Sequence, residues 1–449
     1  MGEPMIDHRR PVASRLALLP PARARTIALD PKTQDIRAPS RPTANLLVRG
    51  TLLWLVTTLA IGSHPVRAQD GPRIVSLEEA VKAANLLPDL KAAEAALRSA
   101  EAAIKAARRF PDPSLSFTTR SITARESYAL SAPLPWPGRG ARIDVAKAGS
   151  VLAAADRESA LAMARRAMRL AWFTLAARED MALAAHDRAA RARATADAVT
   201  TLFEAGRVAL LDASRARADA ALNAADEPQA EEEHRIAESV LRRLVYIDAP
   251  QRIAVTRPFP VPKEGPPLQA ALVSALAHSP LAKTAEARVK STEASVRLAS
   301  ALRFPGIAVE AGADRNDPTQ PGTDKSIGAS LIVPLGSGPA LSIARGDRDR
   351  ALALREQAKR EIADEVERAW RTATAARLRY QVLASEALPA ATQAADLAQV
   401  AYREGRFDIF RVLDAERALA DAQNGLALAY LAWGVAHADL LNAIGEEQP

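Results

Sequence analysis

No cysteine occurs in the 449 residues. The chain therefore forms no disulfide and carries no thiol for lipid attachment, so any hold on a membrane must come from another device. Aromatic residues make up 4% of the chain, too few to stack bases along a nucleic-acid surface. His186, His234, His278 and His437 are scattered. No nucleophile elbow, phosphate loop or zinc-protease motif is present, and Gly336-Ser337-Gly338 lacks the third glycine and the Lys of a phosphate loop. Glu231, Glu232, Glu233 and His234 are consecutive, share no helix face, and read as solvated surface rather than as cation ligands. The sequence offers no catalytic residue, no metal site and no cofactor site. It also lacks, beyond residue 68, an apolar run of the about 20 residues that a membrane-crossing helix needs.

What charge there is sits unevenly. The formal net charge is +7, but residues 1–68 hold ten Lys and Arg against four Asp and Glu, which leaves 50 against 49 for the rest. A nearly neutral body with Arg and Glu interspersed along helices reads as solvated faces rather than as a phosphate-binding stripe, and no nucleic-acid partner is expected. Within the basic segment Arg49 precedes the apolar run Thr51 to Ile61, and Val66-Arg67-Ala68 comes after it. That order reads as a secretory signal peptide cleaved before Gln69. Residues 1 to about 45 are unusual ahead of a signal, and a start codon placed too far upstream is the favoured explanation.

The remainder says nearly the same thing twice. Leu77 opens LEEAVKAANLLPDLKAAEA and Leu268 opens LQAALVSALAHSPLAKTAEA; each leads through an Ala-rich segment to Phe-Pro, at Phe110-Pro111 and Phe304-Pro305. Each half then carries an Ala-Trp pair (Ala171-Trp172, Ala369-Trp370) and a Gly-Arg turn (Gly206-Arg207, Gly405-Arg406). Past the turns the offset holds at 199 residues, so Ala216 answers Ala415. Such duplication identifies architecture before any single motif does. It divides the chain into a leader over 1–68, a first repeat over 69–246, a Pro-rich extended linker over 247–267 and a second repeat over 268–449.

Within each repeat the periodicity changes. A helix is expected from Ile74 to Arg109, with Ser76 as N-cap and Glu79 as its capping-box partner. Ser114 to Ile122 and Arg125 to Leu134 then alternate, with Leu115, Phe117 and Thr119 opposed to Ser114, Ser116 and Thr118. Ile307 to Gly312 and Lys325 to Val333 repeat this, with Ile327, Ala329 and Leu331 against Ser326, Gly328 and Ser330. Segments of about ten residues, polar on one face and apolar on the other, suit a lipid-bounded barrel; a plain hairpin packed on a helix reads the same way in isolation. The length of the helical segment after each hairpin separates the two. From Gly140 to about Glu204, and from about Pro339 to Glu404, only Pro389 interrupts, and a helix of that length would reach about 98 Å. Small residues with large ones at four-residue steps, such as Ile362, Val366 and Trp370, describe long helices packed side by side. Helices return over Val208 to Tyr246 and Ile409 to Ile444, the first with a kink or excursion expected at Asp226-Glu227-Pro228.

With this plan the chain resembles the TolC family of outer-membrane efflux ducts over nearly all of residues 74 to 445. The likeness rests on the Leu77 and Leu268 openings, the two Phe-Pro pairs, Pro133-Leu134 and Pro334-Leu335 closing the strands, and Gly206 and Gly405 with Ala216 and Ala415. The resemblance implies a mainly α fold with a small β part. In it a homotrimer, four strands per chain, would form an outer-membrane β-barrel continuing into a periplasmic α-helical barrel. The partners implied are a periplasmic adaptor and an inner-membrane pump that supplies the energy. The run PLPWPGRGARIDVAK, Pro133 to Lys147, is similar to the branch serving cobalt, zinc and cadmium efflux by resistance-nodulation-division (RND) pumps. Gly206, Arg207, Gly405 and Arg406 match the tips that receive the adaptor. Asp414 matches one acidic position ringing the closed entrance, Arg411 departs from the other, and Tyr402 and Asp212 match a hydrogen-bonded pair that holds the entrance shut. A duct for organic drugs or type I secretion, and an exported helical stalk or adhesin without a pore, remain as alternative readings at this point.

Overall fold

The computed structural model describes residues 71–120, 125–317, 320–336 and 338–445. The signal-peptide segment and the cleavage site before Gln69 lie outside the described residues, as do Ser121 and Ile122 at the expected end of the first strand. The described residues belong to one compact unit, Ala68–Pro449.

The first repeat comprises β1 (Arg73–Val75), α1 (Leu77–Ala83), α2 (Pro88–Arg108), β2 (Ser114–Arg120), β3 (Arg125–Pro133), α3 (Arg139–Glu204) and α4 (Leu210–Leu244). After β4 (Ile253–Val255) the second repeat comprises α5 (Leu268–His278), α6 (Pro280–Ala301), β5 (Gly306–Asp317), β6 (Gln320–Ile332), α7 (Gly338–Val382), α8 (Leu388–Arg403) and α9 (Ile409–Ile444). Ser76 caps α1 as expected, its hydroxyl accepting the Glu79 N–H at 3.1 Å. The Glu79 carboxylate does not complete the box; it pairs with Arg73.

Three expectations need correction. The single helix from Ile74 to Arg109 is broken, because a proline excludes the residue before it from the helical region. Leu87, ahead of Pro88, sits at ψ 141°, and Ser279, ahead of Pro280, at ψ 142°. Ile74 and Val75 leave the helix altogether and pair in parallel with Ala254 and Val255 of β4. At Pro228 the reverse holds: the helix is not interrupted by an excursion, and α4 continues through it. The lost backbone bond is offset by side-chain ties to α3, where Asp226 pairs with Arg188 at 3.6 Å and Glu227 with His186 and Arg193 at 2.7 and 3.0 Å. Finally, β5 and β6 run well past the expected ends, to 12 and 13 residues.

α3, with 66 residues, is about 99 Å long and is the spine of the fold. On the sheet side it lies between α2 and α6, and on the turn side against α4 and α9, with α7 bridging α6 and α9. In the second half the equivalent long helix is made of α7 and α8 joined by a π-turn, Leu383–Ala387. The wider turn relaxes the helix where Pro389 withholds its N–H. The 18-residue window of α9 that is apolar enough to cross a membrane is 61% buried, which is the packing of a core helix.

The core concentrates where the linker crosses the helices. Trp172, Phe173, Leu241, Tyr430 and Trp433 are buried there with Val75, Ile253 and Val255. Phe259 of the linker stacks on Tyr430 at 5.4 Å between ring centroids, and Arg257 donates to Asp180 at 2.7 Å. Burial pushes the Asp180 carboxyl up while Arg257 acts against it. Glu238, 3% exposed, accepts the Ile253 N–H at 3.0 Å and holds Arg252 at 3.0 Å, which fastens β4 to α4. The duplicated Ala-Trp pairs play matching parts. Trp172 donates its indole N–H to the Val75 carbonyl at 3.0 Å and Trp370 to that of Pro266 at 2.8 Å, each just ahead of its own repeat's first helix.

Candidate functional site

The sheet is the first candidate. Its strands run β2-β3-β5-β6, all antiparallel, and β2 and β6 each have one neighbour among the described residues. The register sorts side chains by face. Leu115, Leu130, Ala311 and Ile327 form one row across all four strands, and Phe117 and Tyr128 lie in the row beyond, with rings 5.0 Å apart. The opposite face carries Ser114, Ser131 and Glu310 in one row and Thr118, Ser127, Asp314 and Asp324 in another. No described residue covers the apolar face: Leu115 is 76% and Ile327 88% exposed. A sheet with one wet face and one uncovered apolar face is stable where lipid takes the place of a core.

The two turns are the second candidate, and they are built alike. Gly206 and Gly405 have φ of +71° and +72°, the left-handed region that side chains rarely adopt. In the first turn Gly206 N–H bonds to Phe203 O and Arg207 N–H to Leu202 O, both at 2.8 Å; in the second, Gly405 bonds to Tyr402 O at 2.9 Å and Arg406 to Ala401 O at 2.8 Å. Both are Schellman caps, so each glycine is required by conformation. Asp408 then caps α9, its carboxylate accepting the Arg411 N–H at 3.1 Å. Beneath the turns, Val199, Ala213, Ala216, Ile409 and Val412 make a small core that joins both hairpins.

The four residues expected at the entrance, Asp212, Tyr402, Arg411 and Asp414, lie on the helices that meet at these turns. Arg411 and Asp414 share a cleft of about 500 Å³ between α4 and α9, together with Arg215, Asp219, Leu222 and Phe410. Arg215 stacks on Phe410 at 3.9 Å and Arg411 on Phe407 at 4.8 Å. Tyr402 packs on the small core with its hydroxyl buried and without a hydrogen-bond partner. Burial raises its phenol above the usual range, and the nearby Asp212 charge adds to this. The expected Tyr402–Asp212 hydrogen bond is not made within the single chain.

Sequence reasoning passed over Arg215, although the repeat carried the signal. At the offset of 199, Asp212 answers Arg411 and Arg215 answers Asp414. The two halves bear the same pair of charges with signs exchanged.

The family model for outer membrane efflux proteins matches residues 81–245 and 271–446. The chain belongs to the outer membrane efflux protein family. Members of this family are passive outer-membrane channels, and this efflux protein is not an enzyme. Among relatives, the cobalt-zinc-cadmium resistance protein CzcC of Cupriavidus metallidurans is 27% identical over 372 residues, covering 80% of this chain and 87% of its own. The fold is shared with the outer-membrane channel OprN (TM-score 0.67, 23% identity, 82% of this chain and 89% of that one). It is shared as well with VceC of Vibrio cholerae (0.65, 19%, 82% and 96%) and with CusC (0.68, 18%, 82% and 92%). The mainly α, duplicated, TolC-like plan of the efflux protein stands on these matches. Among its described residues, no three His, Asp or Glu side chains come together as a set of metal ligands.

Proposed function

We propose that the efflux protein is the outer-membrane duct of a tripartite RND system and exports divalent heavy-metal cations. The reading takes a leader over 1–68 cleaved before Gln69, repeats over 69–246 and 268–449, and a linker over 247–267. Three copies each lend four strands to a twelve-stranded barrel, an even count of the kind such barrels adopt. The observation that carries the duct is the sheet with an uncovered apolar face and unpaired edges at β2 and β6, since a barrel is the arrangement that removes such edges in lipid. The metal substrate is supported by the likeness to CzcC along most of both chains. If it is right, deleting the gene lowers tolerance to cobalt, zinc or cadmium and leaves tolerance to dyes and detergents unchanged. The reverse pattern makes the protein a drug duct.

The turns at Gly206-Arg207 and Gly405-Arg406 are the surfaces offered to the adaptor, presented rigidly by the two Schellman caps. The entrance is held by Asp212, Tyr402, Arg411 and Asp414. The exchanged signs of Asp212 and Arg215 against Arg411 and Asp414 let α4 of one copy meet α9 of the next with opposite charges facing, an attraction strengthened when the ring closes and water leaves. Arg411→Asp should then raise single-channel conductance in planar bilayers, and adding Asp212→Arg should bring it back toward that of the unaltered protein. Equal conductance in all three would remove this pair from the entrance.

A further inference from the structure

The chain repeats Arg-Phe-Pro, at Arg109-Phe110-Pro111 and Arg303-Phe304-Pro305. Both copies stand where a helix gives way to a strand at the same end of the sheet, just before β2 and just before β5. Trp136 comes after β3 and Leu335 after β6 at that end. Phe110, Trp136 and Phe304 are 63%, 66% and 62% exposed, each within four residues of a strand end. Residues 104–113, 134–147, 298–305 and 333–346, which flank the strand ends on the helix side, hold eight Lys and Arg against Asp112 and Asp144 alone. From residue 69 onward the chain as a whole carries 50 such cations against 49 carboxylates. These segments therefore carry a net charge of +6, against +1 for the chain from residue 69 onward. Arg108, Arg109, Arg139 and Arg303 are exposed there, and none of them is ion-paired among the described residues. The Arg139 guanidinium lies over the Phe110 ring at 5.2 Å and donates to the Arg108 carbonyl at 3.0 Å.

We propose that this collar is a binding surface for the phosphate head groups of anionic phospholipids in the leaflet on the helix side of the barrel. The proposal rests on the sheet being lipid-facing. Rings at the head-group level with arginines beside them meet both halves of such a lipid, since the aromatic faces sit in the interface and the guanidinium forks take phosphate oxygens in pairs. Arginine stems also lie along apolar surface while their charge reaches outward. Each cation held at an anionic surface strengthens binding about fivefold. In a chain without cysteine, and so without a thiol-linked lipid, the collar supplies a hold on the membrane that sets how deep the barrel sits.

The test is fluorescence quenching of Trp136 in the full-length protein reconstituted into phosphatidylcholine vesicles that contain either brominated phosphatidylglycerol or brominated phosphatidylcholine. Trp136→Phe is the blank for the other tryptophans. The collar predicts that phosphatidylglycerol quenches more strongly at equal mole fraction. It further predicts that Arg109→Ala/Arg303→Ala lowers this preference about 25-fold, while quenching by phosphatidylcholine persists and so shows the variant still inserted. Arg109→Lys/Arg303→Lys, which keeps the charge and loses the forks, should fall between the unaltered protein and the double alanine variant. Equal quenching by the two lipids, or a preference that survives the double alanine variant, overturns the proposal. If neither lipid quenches Trp136, the lipid-facing reading of the sheet falls instead, and the collar falls with it.

Discussion

Trp172→Ala is expected to lower stability by about 3–5 kcal/mol, the usual cost of emptying a buried aromatic site. The side chain is 1% exposed and meets the Phe173 and Phe259 rings at 5.3 and 6.1 Å, so its loss opens a cavity between α3 and the linker. It also removes one of the two hydrogen bonds to the Val75 carbonyl, which keeps the Thr256 N–H at 3.2 Å. Trp172→Phe keeps most of the ring contacts and should cost only about 1 kcal/mol, the worth of the single hydrogen bond. Trp370→Ala, the equivalent change in the second repeat, removes a less buried ring and should fall between the two. Thermal midpoints of the detergent-solubilised proteins at one scan rate give the order, since large membrane proteins unfold irreversibly and only matched rates compare. A Trp370→Ala variant as damaged as Trp172→Ala would mean that the linker crossing is not the centre of the core.

Gly434 should tolerate a side chain equally badly. In an exposed helix, replacing Gly with Ala stabilises by about 1 kcal/mol. Here an added Cβ would lie 2.3 Å from Cγ and 2.5 Å from Cδ1 of Phe173. That ring is 1% exposed and wedged edge-on against Tyr430 and Trp433, at 5.7 and 5.6 Å, so it has nowhere to turn. α3 and α9 must part, and overpacking of this kind costs about 1–3 kcal/mol for a methyl group and more for a branched side chain. Gly434→Val is expected to lose about 3 kcal/mol or more, seen as a lower thermal midpoint and a poor yield of folded protein. If Gly434→Ala proves more stable than the unaltered protein, the close crossing of α3 and α9 is not the constraint these distances describe.

Much of this architecture was legible because the chain states it twice. The two Phe-Pro pairs, the strands, the long helices and the Gly-Arg turns fall where the repeat put them, and the turn glycines have the left-handed backbone that their position implied. The failures have physical causes. Leu87-Pro88 sits inside an unbroken helical pattern, and only the steric rule for residues before proline separates α1 from α2. Pro228 misled in the opposite direction, since the ion pairs that carry α4 through it come from α3, far away in sequence. β1 and β4 are three residues each and exist only because the linker folds back across the helices. β5 and β6 outran their expected ends because Asp314, Arg315 and Asp324 put charge on both faces and erased the alternation. Asp414 and Arg411 were singled out for the proposed entrance by likeness alone. Arg215 is visible only when the repeats are laid over one another and the exchanged signs are read as a pair.

The measurement that bears most directly on the duct is the detergent-corrected mass of the protein recovered from fractionated cells, with its N-terminal residue determined on the same sample. A trimer from the outer-membrane fraction, beginning at Gln69, is the result this account predicts. A soluble monomer would contradict it, because the uncovered face of the four-stranded sheet would then close no barrel.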